Sequence, residues 1–249
     1  IEVLRQANQI VAEVLVALAG QVKPGVTTRE LDTLAEEMIL AREATPAFKG
    51  YHGYPAATCI SVDEVIVHGI PGDQKLQDGQ IVSIDVGTCH KGYYGDAAIS
   101  VPCGRIDPER QRLLDTTDLA LTRAIAAARD GNCLRDIGCA VEAVCVAEGF
   151  SVVRAFVGHG IGTQMHEEPQ VPNFDIGQSG PRLKTGMVLA LEPMVNMGGH
   201  KVRVLEDGWT AVTADGRPSA HFEHSVVVRE DGGEILSFTA KRRWGRCEG

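Results

Sequence analysis

Two aspartates lie where the local pattern predicts β-structure, a setting that makes an acidic side chain costly. Asp85 follows residues 81–84, of which three are apolar, and Asp96 follows a turn signal at residues 90–92. Aspartate is depleted in strands and is seldom buried without a partner. We expect a simple hairpin to place the two carboxylates nearly opposite each other, with Cβ atoms about 4.5–5.5 Å apart. A shared proton, a basic side chain or a cation must then neutralise them, unless a shifted register leaves Asp96 solvated.

Two glutamates and a histidine extend this set. Glu192 follows the apolar residues 187–191, Glu223 begins another apolar run, and His159 lies between two glycines that allow a ligand to approach closely. Taken singly, each has an ordinary explanation as a strand end that reaches water or as a structural loop histidine. Together, four carboxylates and one imidazole suit Mn, Fe, Co or Zn. Two such cations about 3.5–4 Å apart can activate one water molecule for hydrolysis.

The elements that must position these residues are predicted from hydrophobic periodicity. We expect helices near residues 2–20, 28–39, 108–128 and 134–148, the second of them opened by a capping box of Thr27 and Glu30. Residues 48–55 predict a loop. Short β-type runs are expected at residues 57–62, 81–86, 97–101, 152–157, 187–191, 202–205, 209–212 and 222–228.

A short internal sequence repeat predicts two similar halves. Residues 25–31 and 131–137 share a glycine, an arginine, an acid and an aliphatic residue in step, and each segment opens a predicted helix. Because no Pro- or Ser-rich linker separates the halves, we predict one α+β domain over residues 1–240. The basic residues 241–249 are expected to form a flexible tail.

Composition excludes several classes of function. The 249 residues carry 24 Lys and Arg against 33 Asp and Glu, a net charge of −9, which opposes specific nucleic-acid binding. No apolar run is long enough to predict a membrane span. The seven cysteines contain no CxxC pair, so we expect reduced thiols in a reducing compartment. The sequence also contains neither a GxSxG nucleophile motif nor a phosphate-binding loop.

Longer motifs carry a resemblance to a known family. The strings FKGYHGYPAATCISVDEVIVHGIP, GHGIGTQMHEEPQVPNF, GMVLALEPMVN and HFEHSVVV resemble type I methionine aminopeptidases of the bacterial kind. This resemblance implies the pita-bread fold, an internally pseudo-duplicated α+β domain with an antiparallel sheet covered by helices. It implies a metal-dependent exopeptidase that removes the initiator methionine from nascent proteins and from peptides with a small second residue. A metal-bridging hydroxide would attack the scissile carbonyl.

The resemblance also implies a role for each candidate metal ligand. Asp85 would bind one of two divalent cations (Co, Mn, Fe or Zn). Asp96 and Glu223 would bridge both cations, and His159 and Glu192 would bind the other.

Further residues are implied to contact the substrate. Glu192 would relay a proton, His166 would stabilise the tetrahedral intermediate, and His68 would contact the scissile amide. The apolar pocket for the methionine side chain is expected to be lined by Phe48, Tyr51, Tyr54, Cys59, Met165 and Trp209.

Two other functions share these motifs. Aminopeptidase P and prolidase use the same five ligands, but the Tyr-rich segment at residues 51–54 and the string Glu192-Pro193-Met194 favour the methionine-specific family. A non-enzymatic binding module on the same fold is disfavoured because all five ligand types are present. The resemblance further implies a cytoplasmic monomer that works at the ribosome, although the net charge lends no support to ribosome association.

Overall fold

Two pairs of α-helices give the chain two segments of similar organisation. The computed structural model describes residues 1–237, so the predicted tail at residues 241–249 lies outside the described residues. The helices are α1 (Glu2–Ala19), α2 (Thr28–Leu40), α3 (Pro108–Ala127) and α4 (Leu134–Ala147). All four lie within a residue or two of the predicted positions. The capping box of Thr27 and Glu30 is present at the start of α2, as predicted.

Short β-strands make up the rest of the regular structure. Within residues 1–237 they are β1 (Thr45–Pro46), β2 (Thr58–Val62), β3 (Val65–Val67), β4 (Gln80–His90), β5 (Tyr93–Cys103), β6 (Ser151–Val152), β7 (Gly158–Gly160), β8 (Glu167–Val171), β9 (Val188–Leu191), β10 (Met194–Asn196), β11 (Val202–Val204), β12 (Ala211–Thr213), β13 (Ser219–His221), β14 (Glu223–Val228) and β15 (Gly233–Ile235).

One large antiparallel sheet forms the centre of the molecule. Its strand order is β1-β4-β5-β14-β9-β7-β8, with β2 added beside β4 and β15 beside β14. Two three-stranded sheets, β13-β10-β6 and β11-β12-β3, complete the described strands. The main apolar core joins residues of all four helices to this large sheet. The predicted class, an α+β fold with an antiparallel sheet covered by helices, is confirmed.

Several predicted strands differ from the structure. The run at residues 152–157 forms only the two-residue strand β6, and the run at 222–228 begins one residue later, at Glu223. The segment at residues 48–55 contains a single 3-10 turn, Tyr51–Gly53, rather than only loop. Seven described strands were not predicted, because runs of two to five residues carry too few alternations to show a period: β1, β3, β7, β8, β10, β13 and β15.

The two segments of the predicted internal duplication make corresponding backbone hydrogen bonds. The Gly25 N–H donates to the Leu76 carbonyl at 2.8 Å, and the Gly131 N–H donates to the Leu183 carbonyl at 3.2 Å. Both glycines have a positive φ, which lets the chain turn into the following helix. In each half, therefore, the start of a helix is tied to the segment that leads into a sheet strand.

The six cysteines among residues 1–237 form no disulfide. In the same part of the chain, no helix combines the length and apolar character that crossing a bilayer requires.

Helix α1 packs directly on the β4–β5 hairpin. The Thr88 hydroxyl donates to the Ala7 carbonyl at 3.1 Å, and the Asp96 N–H donates to Asn8 Oδ1 at 3.3 Å. A Cβ atom on Gly95 would lie 2.7 Å from the Asn8 backbone nitrogen. Glycine is therefore needed here so that the helix can approach the strand next to Asp96.

We predict that Gly95→Ala lowers the free energy of unfolding by about 1–3 kcal/mol, because the added methyl group meets helix backbone. Gly72→Ala is the matched control, since a Cβ there has nothing within 4 Å. Urea unfolding of both variants measures the difference. Equal stability of the two variants would contradict the close packing described above.

Candidate metal centre

The register of the β4–β5 hairpin places Asp85 and Asp96 diagonally, not opposite each other. Asp85 pairs with Ala98, and Asp96 pairs with Gly87. The hairpin closes through the two residues 91–92, both with positive φ, and this two-residue turn fixes the pairing. The predicted opposed pair is therefore wrong by two residues along the strand. Because side chains alternate between faces, the two aspartates still lie on one face of the sheet.

The neighbouring strands bring the other candidate ligands to the same face. Glu223 at the start of β14 pairs with Ala98, the residue that Asp85 faces from the other side. His159 on β7 pairs with Ala190, two residues before Glu192 at the end of β9. The five candidates thus come from five adjacent strands or strand ends of one sheet.

The side chains of these residues converge in a buried cluster. Asp96, His159 and Glu223 are 4%, 7% and 2% exposed, and one ligand atom from each lies within 4.8 Å of the others. His159 Nε2 lies 3.6 Å from Glu192 Oε1 and 3.8 Å from Asp96 Oδ2. These separations are too long for good hydrogen bonds, and they suit donor atoms arranged around a common centre.

The cluster lacks the partners that buried carboxylates need. Asp85 Oδ1, Asp96 Oδ1 and Glu223 Oε1 are buried and have no hydrogen-bond partner in the described part of the chain. There, the ion-pair contacts of these carboxylates are with histidines and not with Lys or Arg. A divalent cation would supply the missing charge, so the residues fit a metal.

Burial shifts the pKa values of the cluster strongly. It raises the pKa of Asp85 to about 7. Burial, followed by the charges of neighbouring carboxylates, raises the pKa of Asp96, Glu192 and Glu223 well above the usual range. Without cations, the cluster must therefore hold protons near neutral pH.

The protonation state of His159 is set by its own strand. Its Nδ1 lies 2.9 Å from the Gly160 carbonyl, which can only accept a hydrogen bond. The proton therefore lies on Nδ1, and Nε2 presents a lone pair toward the carboxylates. Burial lowers the pKa of His159 to about 4, so the ring is neutral at pH 7.

Two further histidines predicted for catalysis lie beside the cluster. The His166 ring centroid is 4.3 Å from that of His159, and His166 Nδ1 lies 2.7 Å from the Tyr51 hydroxyl. His68 has a positive φ of 61°, a conformation that is uncommon for residues other than glycine, and its ring packs edge-on against Trp209. Burial lowers the pKa of His68 to about 4.

Most of the predicted methionine pocket is brought together. Tyr54 and Cys59 are buried in one apolar cluster, with Phe48 and Trp209 packed against it. Cys59 pairs with Asp85 across the β2–β4 ladder, so this cluster adjoins the carboxylates. Met165 is also buried but lies outside this cluster.

Tyr51, also predicted for the pocket wall, lies beside His166. It also lies outside the apolar cluster, and its hydroxyl contacts His166 instead. Sequence patterns gave no sign of this contact, because 115 positions separate the two residues.

A histidine that the sequence did not single out also faces the cluster. His221 is 2% exposed, and its Nε2 lies 3.9 Å from both Glu192 Oε2 and Glu223 Oε2. In the sequence, only its position two residues before Glu223 indicates that it shares a face with that glutamate.

Comparison with known proteins agrees with this geometry. Residues 2–230 match the model of metallopeptidase family M24. A methionine aminopeptidase of Clostridium perfringens is 49% identical over 95% of both chains. The crystal structure of methionine aminopeptidase from Thermotoga maritima is 42% identical, covers 96% of both chains and superimposes with a TM-score of 0.93. Prolidase from Pyrococcus furiosus, at 21% identity and a TM-score of 0.77 over 64% of its chain, shares the fold alone.

We predict that Asp85→Asn stabilises the metal-free protein at pH 7.5 by about 1–3 kcal/mol. The carboxyl has a folded pKa of about 7, above its unfolded value. It therefore contributes stability below about pH 4, and that contribution is lost as the pH rises to 7. The variant should show a flatter pH dependence of the melting temperature and a smaller rise on adding Mn²⁺.

Asp73→Asn is the control, since Asp73 is an exposed partner of Arg29. A destabilised Asp85→Asn protein at pH 7.5, or one with the wild-type pH slope, would contradict the prediction.

Proposed function

The chain belongs to metallopeptidase family M24 as a type I methionine aminopeptidase that removes N-terminal methionine, and on this premise we propose that five of its side chains hold two divalent cations. Asp85 is assigned to one cation, His159 and Glu192 to the other, and Asp96 and Glu223 to both. The observation that carries this proposal is the set of buried carboxylate oxygens without partners around the lone pair of His159. Such a donor set suits Mn, Fe, Co or Zn.

The residues of the chain divide the chemistry among them. When bound, the cations polarise the scissile carbonyl and make water acidic enough to react at neutral pH. Glu192 is proposed to take a proton from the attacking water and to carry it to the leaving amine. Its raised pKa, caused first by burial, suits a group that must hold a proton for part of the cycle.

His166 is proposed to stabilise the negative charge that develops on the substrate oxygen. In this proposal the Tyr51 hydroxyl, 2.7 Å from Nδ1, donates to it, which places the proton of the neutral ring on Nε2. Burial lowers the pKa of His166, which keeps the ring neutral. His68, also neutral, is proposed to contact the scissile amide.

The methionine side chain is proposed to enter the apolar cluster beside Asp85. Tyr54 is fixed there because its hydroxyl donates to the backbone carbonyls of Thr58 and Gly69. Trp209 packs edge-on against Tyr54 with ring centroids 5.1 Å apart. Aromatic faces and the Cys59 thiol offer soft contacts to a thioether, and Met165 is proposed to close the pocket.

The setting of the reaction is also part of the proposal. We propose that the protein acts in the cytoplasm, as a monomer, on nascent chains with a small second residue. The unpaired cysteines support a reducing compartment. Association with the ribosome stays a prediction.

The function is tested with peptides that separate it from its rival. We expect the Mn²⁺- or Co²⁺-loaded protein to release methionine from Met-Ala-Ser, to act poorly on Met-Leu-Ser, and to leave Ala-Pro-Phe intact. Chromatography of the released amino acids provides the measurement. Preferential release of alanine from Ala-Pro-Phe would establish the Xaa-Pro hydrolase instead, and a loaded protein inert toward every peptide would indicate a binding module.

The role of Tyr51 is tested with a double-mutant cycle. We expect Tyr51→Phe to lower kcat about 3–10-fold with little change in KM, because one orienting hydrogen bond is lost. His166→Ala should lower kcat about 100-fold through loss of a donor to the developing oxyanion. If Tyr51 acts through His166, the double variant should be no slower than His166→Ala.

Two results would argue against this role. Multiplicative effects in the double variant would mean that Tyr51 works independently of His166. A rise in KM for Met-peptides with unchanged kcat would return Tyr51 to the wall of the methionine pocket.

A further inference from the structure

His221 places a buried ring nitrogen against two of the proposed metal ligands. Its Nε2 lies 3.9 Å from an oxygen of Glu192 and 3.9 Å from an oxygen of Glu223. Within residues 1–237 this nitrogen is buried and has no hydrogen-bond partner. Buried polar atoms of folded proteins are almost always paired, so this atom needs an explanation.

The backbone around His221 is held firmly by strand β5. The His221 N–H donates to Ser100 Oγ at 2.9 Å, and the Ser100 hydroxyl donates to the His221 carbonyl at 2.9 Å. Ser83 Oγ on strand β4 lies 2.7 Å from Ser100 Oγ, so the serine that contacts His221 is itself hydrogen-bonded. On the other side, His221 pairs with Met194, two residues beyond Glu192. The backbone of His221 is thus held on both sides, and its Nε2 faces the two glutamates.

The chemistry of the neighbours indicates what the ring does. Carboxylates that bind cations are ionised and only accept hydrogen bonds, so a nitrogen that faces two such ligands is matched to them as a donor. A ring that merely filled space would leave its N–H unpaired in the interior. Donors behind metal-binding carboxylates orient these ligands and strengthen cation binding.

We infer that His221 is a positioning residue: its Nε2–H faces Glu192 and Glu223 at 3.9 Å, and hydrogen bonds to these carboxylates form as the two side chains settle around the cations. The inference rests on the proposed function, since it takes both glutamates as ligands. His221 itself is not a ligand, and it acts only through the two carboxylates.

Calorimetric titration of the metal-free protein with Co²⁺ alone tests this role. We expect His221→Leu to weaken Co²⁺ binding about tenfold or more, the usual cost of losing such a donor. His221→Gln, which keeps an amide N–H on a side chain of similar length, should bind within threefold of wild type. The visible absorption of bound Co²⁺ should change in the Leu variant and recover in the Gln variant.

His224→Leu is the matched control for loss of stability. His224 is a buried histidine next to Glu223, but its Nδ1 pairs with Ser237 Oγ at 2.8 Å. Because adjacent strand residues point to opposite faces, it does not share the face of Glu223. This variant should melt at a lower temperature, yet keep the Co²⁺ affinity of wild type within threefold.

The outcomes separate the two proposals. Wild-type affinity in a folded His221→Leu protein, or a Gln variant as weak as the Leu variant, would overturn the role of His221. Equal loss of affinity in the Leu variants of His221 and His224 would overturn it too. Asp96→Asn with wild-type Co²⁺ binding would instead overturn the ligand assignment on which the inference rests.

Discussion

The burial of four carboxylates in one small volume is the constraint on which the rest of the structure depends. An ionised carboxylate is well solvated in water, and burying it costs free energy unless a positive charge or a proton neutralises it. Asp96 shows the effect most clearly, because burial and then the charges of Glu223 and Asp85 raise its pKa. The sheet must be rigid enough to keep these groups together although they repel each other.

Each half of the internal duplication holds its part of the sheet by the same kind of hydrogen bond to the start of a helix. Asp85 lies nine residues beyond Leu76, and Glu192 lies nine residues beyond Leu183, the two positions tied to the helix starts of their halves. Strands β5 and β14 pair at the seam between the halves, where Glu223 pairs with Ala98. Each half therefore delivers its acids on a strand fixed at one end by a helix, and the centre forms where the halves meet.

The sequence predicts the helices well, but it predicts the short strands and the pairing of strands poorly. Helix periodicity is a local property, so α1 to α4 were placed within a residue or two. The pairing of Asp85 with Ala98 depends on the position of a two-residue turn. Placing that turn one residue too early in the sequence shifts the partner of each strand residue by two positions. Tyr51 contacts His166, and His221 faces Glu192, although the members of each pair are far apart in the sequence. Local sequence patterns cannot predict such long-range contacts.

The nature of the neighbouring bases decides how the acids are neutralised. The sequence left open a shared proton, a basic side chain or a cation. Among the described residues, the bases in contact with the cluster are histidines, and burial lowers the pKa of His159 to about 4 and that of His221 to about 3. Neutral imidazoles cannot offset the negative charge, so a basic side chain is excluded there. Protons and cations then compete for the same oxygens, and binding of cations near neutral pH must release protons from the carboxylates.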